Sequence, residues 1–99
     1  MYYKNFYKNL SEKEIKDKII EEGFNPIKVE DDPNYEYQTH THEETKILAI
    51  LKGGMCVTVN GEHFVIEPGD KLVIPGNIPH SAQVGDRGCT YFWSEKIIR

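Results

Sequence analysis

Three histidines are the residues of this sequence best suited to chemistry. His40 and His42 are separated by one residue in the segment HTHEETK, and His80 follows the turn PGNIPH. Alternate side chains of a β-strand point to the same face, so His40 and His42 form a pair of imidazoles of the kind that first-row transition metals accept. His80 supplies a third nitrogen if its strand packs antiparallel in the same sheet. The alternative is that the pair consists of two polar residues on an exposed strand face.

Four further residues are candidates for contact with a ligand near these histidines. Gln38 has the same strand parity as His40, and Lys46 follows the histidine pair by four residues. Tyr91 and Trp93 share one face of the last strand, where their rings can line the mouth of a barrel and stack on a ligand. The alternative for both aromatic residues is ordinary packing in the core or against a second subunit.

The elements that must position these residues are short β-strands. From Ile27 onward the chain consists of brief segments, most of them rich in Val, Ile, Tyr and Phe, separated by Gly, Pro, Asn and Asp. The segments are IKVED, YEYQTH, KILAIL, MCVTVN, EHFVIE, KLVIP, HSAQV and CTYFWS. Asn60–Gly61 is a strong two-residue hairpin signal. Because no helical segment intervenes, the pattern predicts an antiparallel sandwich or barrel.

The segment before these strands has a helical pattern. Ser11, with Glu14 three residues later, matches a capping box, and Gly23 supplies a stop. Apolar residues recur at helical spacing through this region at Tyr3, Phe6, Tyr7, Leu10, Ile15, Ile19 and Ile20. We therefore predict an N-terminal helical extension over residues 1–24 and a β-barrel domain over residues 25–99.

The spacing of the histidines with the turn residues resembles the two motifs of the cupin superfamily. The first cupin motif has HxH, three or four residues, Glu, six residues and Gly, and here His40, His42, Lys46 and Gly53 occupy these places. The second motif runs from Gly to His through a Pro and a Gly, and here it comprises Gly69, Pro75, Gly76 and His80, with Asn77 in place of a turn glycine. The resemblance extends over about residues 35–95. It implies an all-β fold, an antiparallel jelly-roll β-barrel.

The resemblance also implies a metal site with one unusual member. Cupins typically bind Mn, Fe, Ni, Zn or a related ion through three histidines and a glutamate, and Lys46 stands where the glutamate is expected. Carried over by position, the metal ligands are His40, His42 and His80. Three alternatives remain for the lysine. Its ammonium pairs with Glu43 or Glu44 and leaves a three-histidine site, it loses its proton and serves as a base, or no ion binds and the lysine holds an anionic ligand.

Two classes of function follow from this interpretation. The first is a small metal-dependent enzyme of oxygenase, isomerase or decarboxylase type that acts on a small polar or anionic molecule. The second is a non-catalytic module that binds a small molecule, either without metal or together with a partner protein. Small jelly rolls have sheet edges that need covering, which favours a homodimer. The cupin resemblance implies the same, because cupins are commonly dimers.

Composition excludes several other classes. With 99 residues, 38% hydrophobic and 28% charged, the chain is expected to form one globular domain. A net charge of −4 argues against nucleic-acid binding. Neither a signal peptide nor an apolar run of about 20 residues is evident, so we expect a cytoplasmic protein without a membrane partner. Cys56 and Cys89 are far apart in sequence and are expected to be free thiols.

Overall fold

The computed structural model describes residues 1–96, which form one helix and seven strands. The elements in chain order are β1 (Tyr2–Tyr3), α1 (Glu12–Glu21), β2 (Phe24–Asp31), β3 (Glu36–His40), β4 (Lys46–Val59), β5 (Glu62–Ile66), β6 (Lys71–Ile74) and β7 (His80–Lys96). Every strand pairing among them is antiparallel. The predicted all-β jelly roll with a short helix before it is therefore confirmed.

Two long strands, β4 and β7, organise the roll. They pair with each other from Lys46↔Glu95 to Val59↔His80. The sheet runs in the order β1-β6-β4-β7-β2, while β5 pairs with β4 and β3 pairs with β7. The first half of β4 therefore neighbours β6 and its second half neighbours β5. In the same way β7 pairs with β3 near its start and with β2 near its end. Each long strand therefore pairs with a different short strand in each of its halves.

The prediction of eight separate strands was wrong at two places. KILAIL and MCVTVN are parts of β4, and HSAQV and CTYFWS are parts of β7. The glycines between these segments bend the strands instead of ending them. At Gly53, φ is +72°, and a Cβ there would lie 2.0 Å from the carbonyl oxygen of Gly88. Only glycine allows the two backbones to approach this closely.

The hairpin predicted at Asn60–Gly61 is confirmed. It joins β4 to β5, with Val59 opposite Glu62. The φ angles of Asn60 and Gly61 are 50° and 83°. Two consecutive positive values are what a type I′ turn requires, and its twist matches that of the flanking strands.

The N-terminal helix is shorter than the sequence pattern predicted. Ser11 and Glu14 form the expected capping box, and the helix comprises Glu12–Glu21. A helix over residues 1–10 was wrong, because β1 pairs with β6 and Asn5 and Asn9 have positive φ angles of 57° and 68°. The buried Asp70 carboxylate accepts hydrogen bonds from the Tyr2 hydroxyl and the Asn5 backbone N–H. These contacts hold the segment against the roll.

The core has an inner and an outer part. The inner part fills the roll and includes Leu48, Ile50, Met55, Val57, Ile66, Leu72, Ile74, Val84 and Tyr91. The outer part lies between α1 and the sheet and includes Tyr7, Ile15, Ile19, Ala49 and Phe92. The apolar stripe of the helix thus covers one outer face of the sheet, as helical spacing predicted for Ile15 and Ile19.

Cys56 and Cys89 are free thiols, as the sequence indicated. Burial and the nearby Asp31 raise the pKa of Cys89 to about 12, which makes this thiol unreactive. No helix within residues 1–96 has both the length and the apolar character needed to cross a membrane.

Candidate metal and ligand site

The three histidines converge at one place in the roll. His40 is the last residue of β3 and His80 is the first of β7, and the two are cross-strand partners. His42 follows two residues after the end of β3. The three rings have centroid separations of 4.4 to 5.1 Å, and one nitrogen from each lies within 4.8 Å of the other two. The structure therefore brings together all three residues that were proposed as metal ligands.

Backbone carbonyls orient two of these rings. The Nδ1 atoms of His40 and His80 bond to the carbonyl oxygens of Gln38 and Ile78, each two residues earlier in the chain. A carbonyl oxygen only accepts, so both Nδ1 atoms carry the proton and both Nε2 atoms keep a lone pair. The His80 Nε2 is buried and has no hydrogen-bond partner among residues 1–96. Fixed tautomers with a free Nε2 are typical of histidines that ligate a metal.

The surroundings of His42 and His80 favour their neutral imidazole forms. Burial lowers the pKa of His42 and of His80 below the ordinary value of 6.5, and the neighbouring His40 and the Lys46 ammonium lower both further. Neutral rings present lone pairs, which is the form that binds a metal. The donor set of three imidazoles fits a first-row transition ion with positions left for other ligands.

Lys46 turns toward carboxylates. It is the first residue of β4, its side chain is 8% exposed, and its Nζ lies 2.8 Å from Glu95 Oε2 and 3.9 Å from Glu44 Oε1. The same Nζ is 5.5 Å from the centre of the Trp93 ring. The hydrogen bond from Lys46 lowers the pKa of the Glu95 carboxyl. This geometry corresponds to the alternative in which the ammonium pairs with nearby carboxylates.

Sequence reasoning named Glu44 as a partner for the lysine but missed Glu95. Lys46 and Glu95 are direct cross-strand neighbours, although they are 49 residues apart in the chain. Only the register between β4 and β7 brings them together, and the sequence around either residue does not indicate that register.

A cavity of about 270 Å³ adjoins the histidines inside the roll. Its lining includes all three imidazoles together with Tyr91 and Trp93, and most of the remaining lining is apolar. The Trp93 ring lies 6.0 Å from the His42 ring. Tyr91 and Trp93 thus line the same cavity, and their contact with a ligand stays a prediction.

Gln38 lies apart from this cavity. Its side chain is exposed and forms a long hydrogen bond of 3.4 Å with Glu36. The pairing of β3 with β7 shifts register between Tyr37 and His40, so strand parity does not carry through this segment. The premise that Gln38 and His40 share one strand face was therefore wrong. The three histidine rings nevertheless lie together. Lys46 is also absent from the cavity lining, because its ammonium points to Glu95.

A cluster of three oxygens in the cavity region escaped the sequence reasoning. The hydroxyls of Tyr37 and Tyr91 lie 2.7 and 2.8 Å from the same oxygen of Asp31 and 2.9 Å from each other. Burial raises the pKa of Tyr37 to about 12 and raises that of Tyr91 further, so both hydroxyls keep their protons near neutral pH. The three residues come from β2, β3 and β7, and nothing in their local sequence links them.

Comparison with known proteins connects this geometry to a family. The sequence model of the AraC-like ligand binding domain matches residues 28–95. No curated protein matched the sequence in a direct search.

Several solved structures share the fold. KdgF from a Halomonas species superimposes with a TM-score of 0.70 at 23% identity, covering 78% of this chain and 71% of that protein. An RmlC-like cupin from Shewanella frigidimarina gives 0.69 at 22% identity, covering 78% and 68%. Oxalate decarboxylase from Bacillus subtilis, described with Mn(II) centres, gives 0.65 at 22% identity, covering 83% of this chain but only 23% of that protein. The chain therefore has the fold of cupin proteins.

Proposed function

Because this chain belongs to the family of AraC-like ligand binding domains, we propose that it binds a small molecule in the cavity beside a divalent transition metal. The metal is held by His40, His42 and His80. The ion is Mn, Fe, Ni or Zn, all of which accept imidazole nitrogen.

One observation carries the proposal. Within the part of the chain that the structure describes, the His80 Nε2 is buried without a partner, while its Nδ1 is engaged by a backbone carbonyl. A buried polar atom without a partner costs free energy, about 1–3 kcal/mol. Two further imidazoles close to that nitrogen make a metal ion the natural group to satisfy it.

We further propose that the bound ion supports catalysis of oxygenase, isomerase or decarboxylase type on a small polar or anionic molecule. Bound there, the metal acts as a Lewis acid or a redox centre. The chain's own residues hold and orient the ligand: three imidazoles leave positions for it, the Trp93 ring flanks the His42 side, and a largely apolar wall lines the cavity. The fold likeness to the oxalate decarboxylase supports this class and does not select a substrate.

A second candidate is a non-catalytic binding module. It is favoured by one observation, namely that a lysine occupies the place of the carboxylate ligand expected in a cupin metal site. In this case the cavity binds its small molecule whether or not an ion is present.

Metal analysis of paired variants tests the proposal. We expect protein purified without any chelator to contain about one equivalent of transition metal per chain. His80→Ala and His40→Ala should lose that metal. His63→Ala is the matched control, since His63 is exposed and bonds only to Thr58 within the described residues, and it should retain the metal.

Equal metal content in all four proteins would contradict the three-histidine site. Ligand binding that is unchanged after chelation, in a protein that does bind metal, would favour the binding module over the enzyme.

A further inference from the structure

We propose that Tyr37 and Tyr91, whose hydroxyls are held by Asp31, form a second recognition site in the cavity, which binds a hydrogen-bond donor of the ligand, either a hydroxyl or an ammonium group. We expect the opposite end of the same ligand at the three histidines, and that expectation rests on the proposed function. The hydrogen bonds of the cluster do not involve the histidines.

The cluster has more acceptors than donors. Each tyrosine hydroxyl carries one hydrogen, and both lie within 2.8 Å of the Asp31 carboxylate oxygen, which only accepts. When both hydroxyls donate to Asp31, no hydrogen remains for the 2.9 Å contact between the two tyrosine oxygens. Both tyrosine oxygens then keep lone pairs. A donor from a ligand supplies the hydrogen that this arrangement lacks.

The tyrosines also lie in the right place to meet a ligand. Tyr37 and Tyr91 both belong to the cavity lining. Tyr91 is 4% exposed, so it is removed from bulk solvent, and it shares the cavity lining with the apolar side chains of Val29 and Leu48. In such surroundings a polar group of the ligand has few other partners, which increases the selectivity of the contact.

The distance from the histidines defines the class of ligand. Tyr91 precedes Trp93 by two residues on β7, which corresponds to about 7 Å along a strand. The Trp93 ring is the one that flanks His42. A ligand that reaches both places is therefore short, with a metal-binding anionic group at one end and a hydroxyl or ammonium several bonds away.

A purely structural role is the competing explanation, since the cluster ties β2, β3 and β7 together. The two roles differ in what they predict for ligands. Cross-linking of strands affects the stability of the fold but does not make the protein prefer one small acid over another of the same length.

Matched pairs of small acids provide the test. Binding of straight-chain carboxylic acids of three to six carbons is measured by calorimetry on the metal-loaded protein and on the metal-free protein. Each acid is compared with its ω-hydroxy and ω-amino derivatives. At one chain length we expect a derivative to bind at least about tenfold more tightly than the unsubstituted acid, the gain typical of one hydrogen bond to a charged cluster.

Tyr37→Phe and Tyr91→Phe should abolish this preference, because each keeps the ring and removes an oxygen. Tyr3→Phe is the control, since Tyr3 is 41% exposed and lies outside the cavity lining. Thermal unfolding of each variant verifies that it is folded, and metal content verifies that the histidine site is unaffected.

The outcomes separate this inference from the proposed function. A preference that depends on the tyrosines in protein that binds no metal would support the recognition site while removing the metal site. Metal-loaded protein with no preference at any length, or a preference that survives in both phenylalanine variants, would overturn the inference and leave the metal site standing.

Discussion

Replacing Lys46 by methionine should strengthen metal binding at the three histidines. The substitution removes a positive charge and keeps an unbranched side chain of similar length in a site that is 8% exposed. Because the ammonium repels a dication, its removal should lower the dissociation constant. We expect the affinity for Zn²⁺ to rise about five- to thirtyfold.

The size of the effect follows from the geometry. The Lys46 Nζ lies 5.5 Å from the Trp93 ring, which in turn lies 6.0 Å from the His42 ring. For an ammonium about 8–10 Å from a divalent ion, with an effective dielectric constant between about 40 and 80, Coulomb's law gives a repulsion of about 1–2 kcal/mol. The lower end is favoured at high salt, because the site opens toward solvent and mobile ions screen the interaction.

A competition titration with a chromophoric zinc chelator at pH 7.5 measures the change. The wild type, Lys46→Met and two controls are compared at low and high salt. Lys13→Met is the matched control, since Lys13 also pairs with a carboxylate but its side chain is 85% exposed on α1. Glu95→Gln tests the sign of the electrostatic effect. It leaves the Lys46 ammonium without its carboxylate partner at 2.8 Å and should therefore weaken zinc binding.

The reasoning would be refuted if Lys46→Met bound zinc no more tightly than the wild type at low salt. An equal gain in Lys13→Met would also count against it, since that result would reflect net charge and not the position of Lys46. Loss of binding in Lys46→Met would mean that the lysine supports the site, for example by holding β4 against β7.

Three other predictions concern stability and are all measured by urea denaturation of metal-free protein. The pKa values of His42 and His80 are lowered in the folded state, so the unfolded chain takes up protons first as the pH drops. The free energy of unfolding should therefore fall below pH 6.5. A flat profile from pH 7.5 to 5.5 would contradict the burial of neutral rings. Ser11→Ala should lose about 1 kcal/mol through the capping box, and an unchanged midpoint would show that the cap contributes nothing. Gly53→Ala should destabilise the fold far more than Gly61→Ala, because a Cβ at residue 53 would lie 2.0 Å from backbone while a Cβ at residue 61 would meet open space. Similar losses of stability in the two variants would show that the close backbone approach at Gly53 does not matter.

The sequence predicted the local features of the fold well. The capping box at Ser11 and the hairpin at Asn60–Gly61 depend on residues within three positions of each other, and both occur as expected. Helical spacing was misleading only for residues 1–10. There the same aromatic residues serve a short strand and a turn, because contacts with β6 and Asp70 outweigh the intrinsic preference of a short segment.

Part of the candidate site was also accessible from sequence. The spacing of His40, His42 and His80 suggested that they meet, and their rings lie together in the roll. Parity along β3 was a poor guide to Gln38, since a shift in register changes the face to which the following residues point. A bulge depends on the fit between two strands and leaves little trace in either one.

Sequence by itself therefore determined the elements whose geometry is local: turns, a helix cap, alternating strand faces and the spacing that places imidazoles at strand ends. Tertiary structure alone decided which distant side chains meet. The carboxylate opposite Lys46 and the oxygen that Tyr37 and Tyr91 share both depend on the register of β7 against its neighbours. That register is set by the packing of the whole roll, because a shift of one residue would turn every side chain to the opposite face.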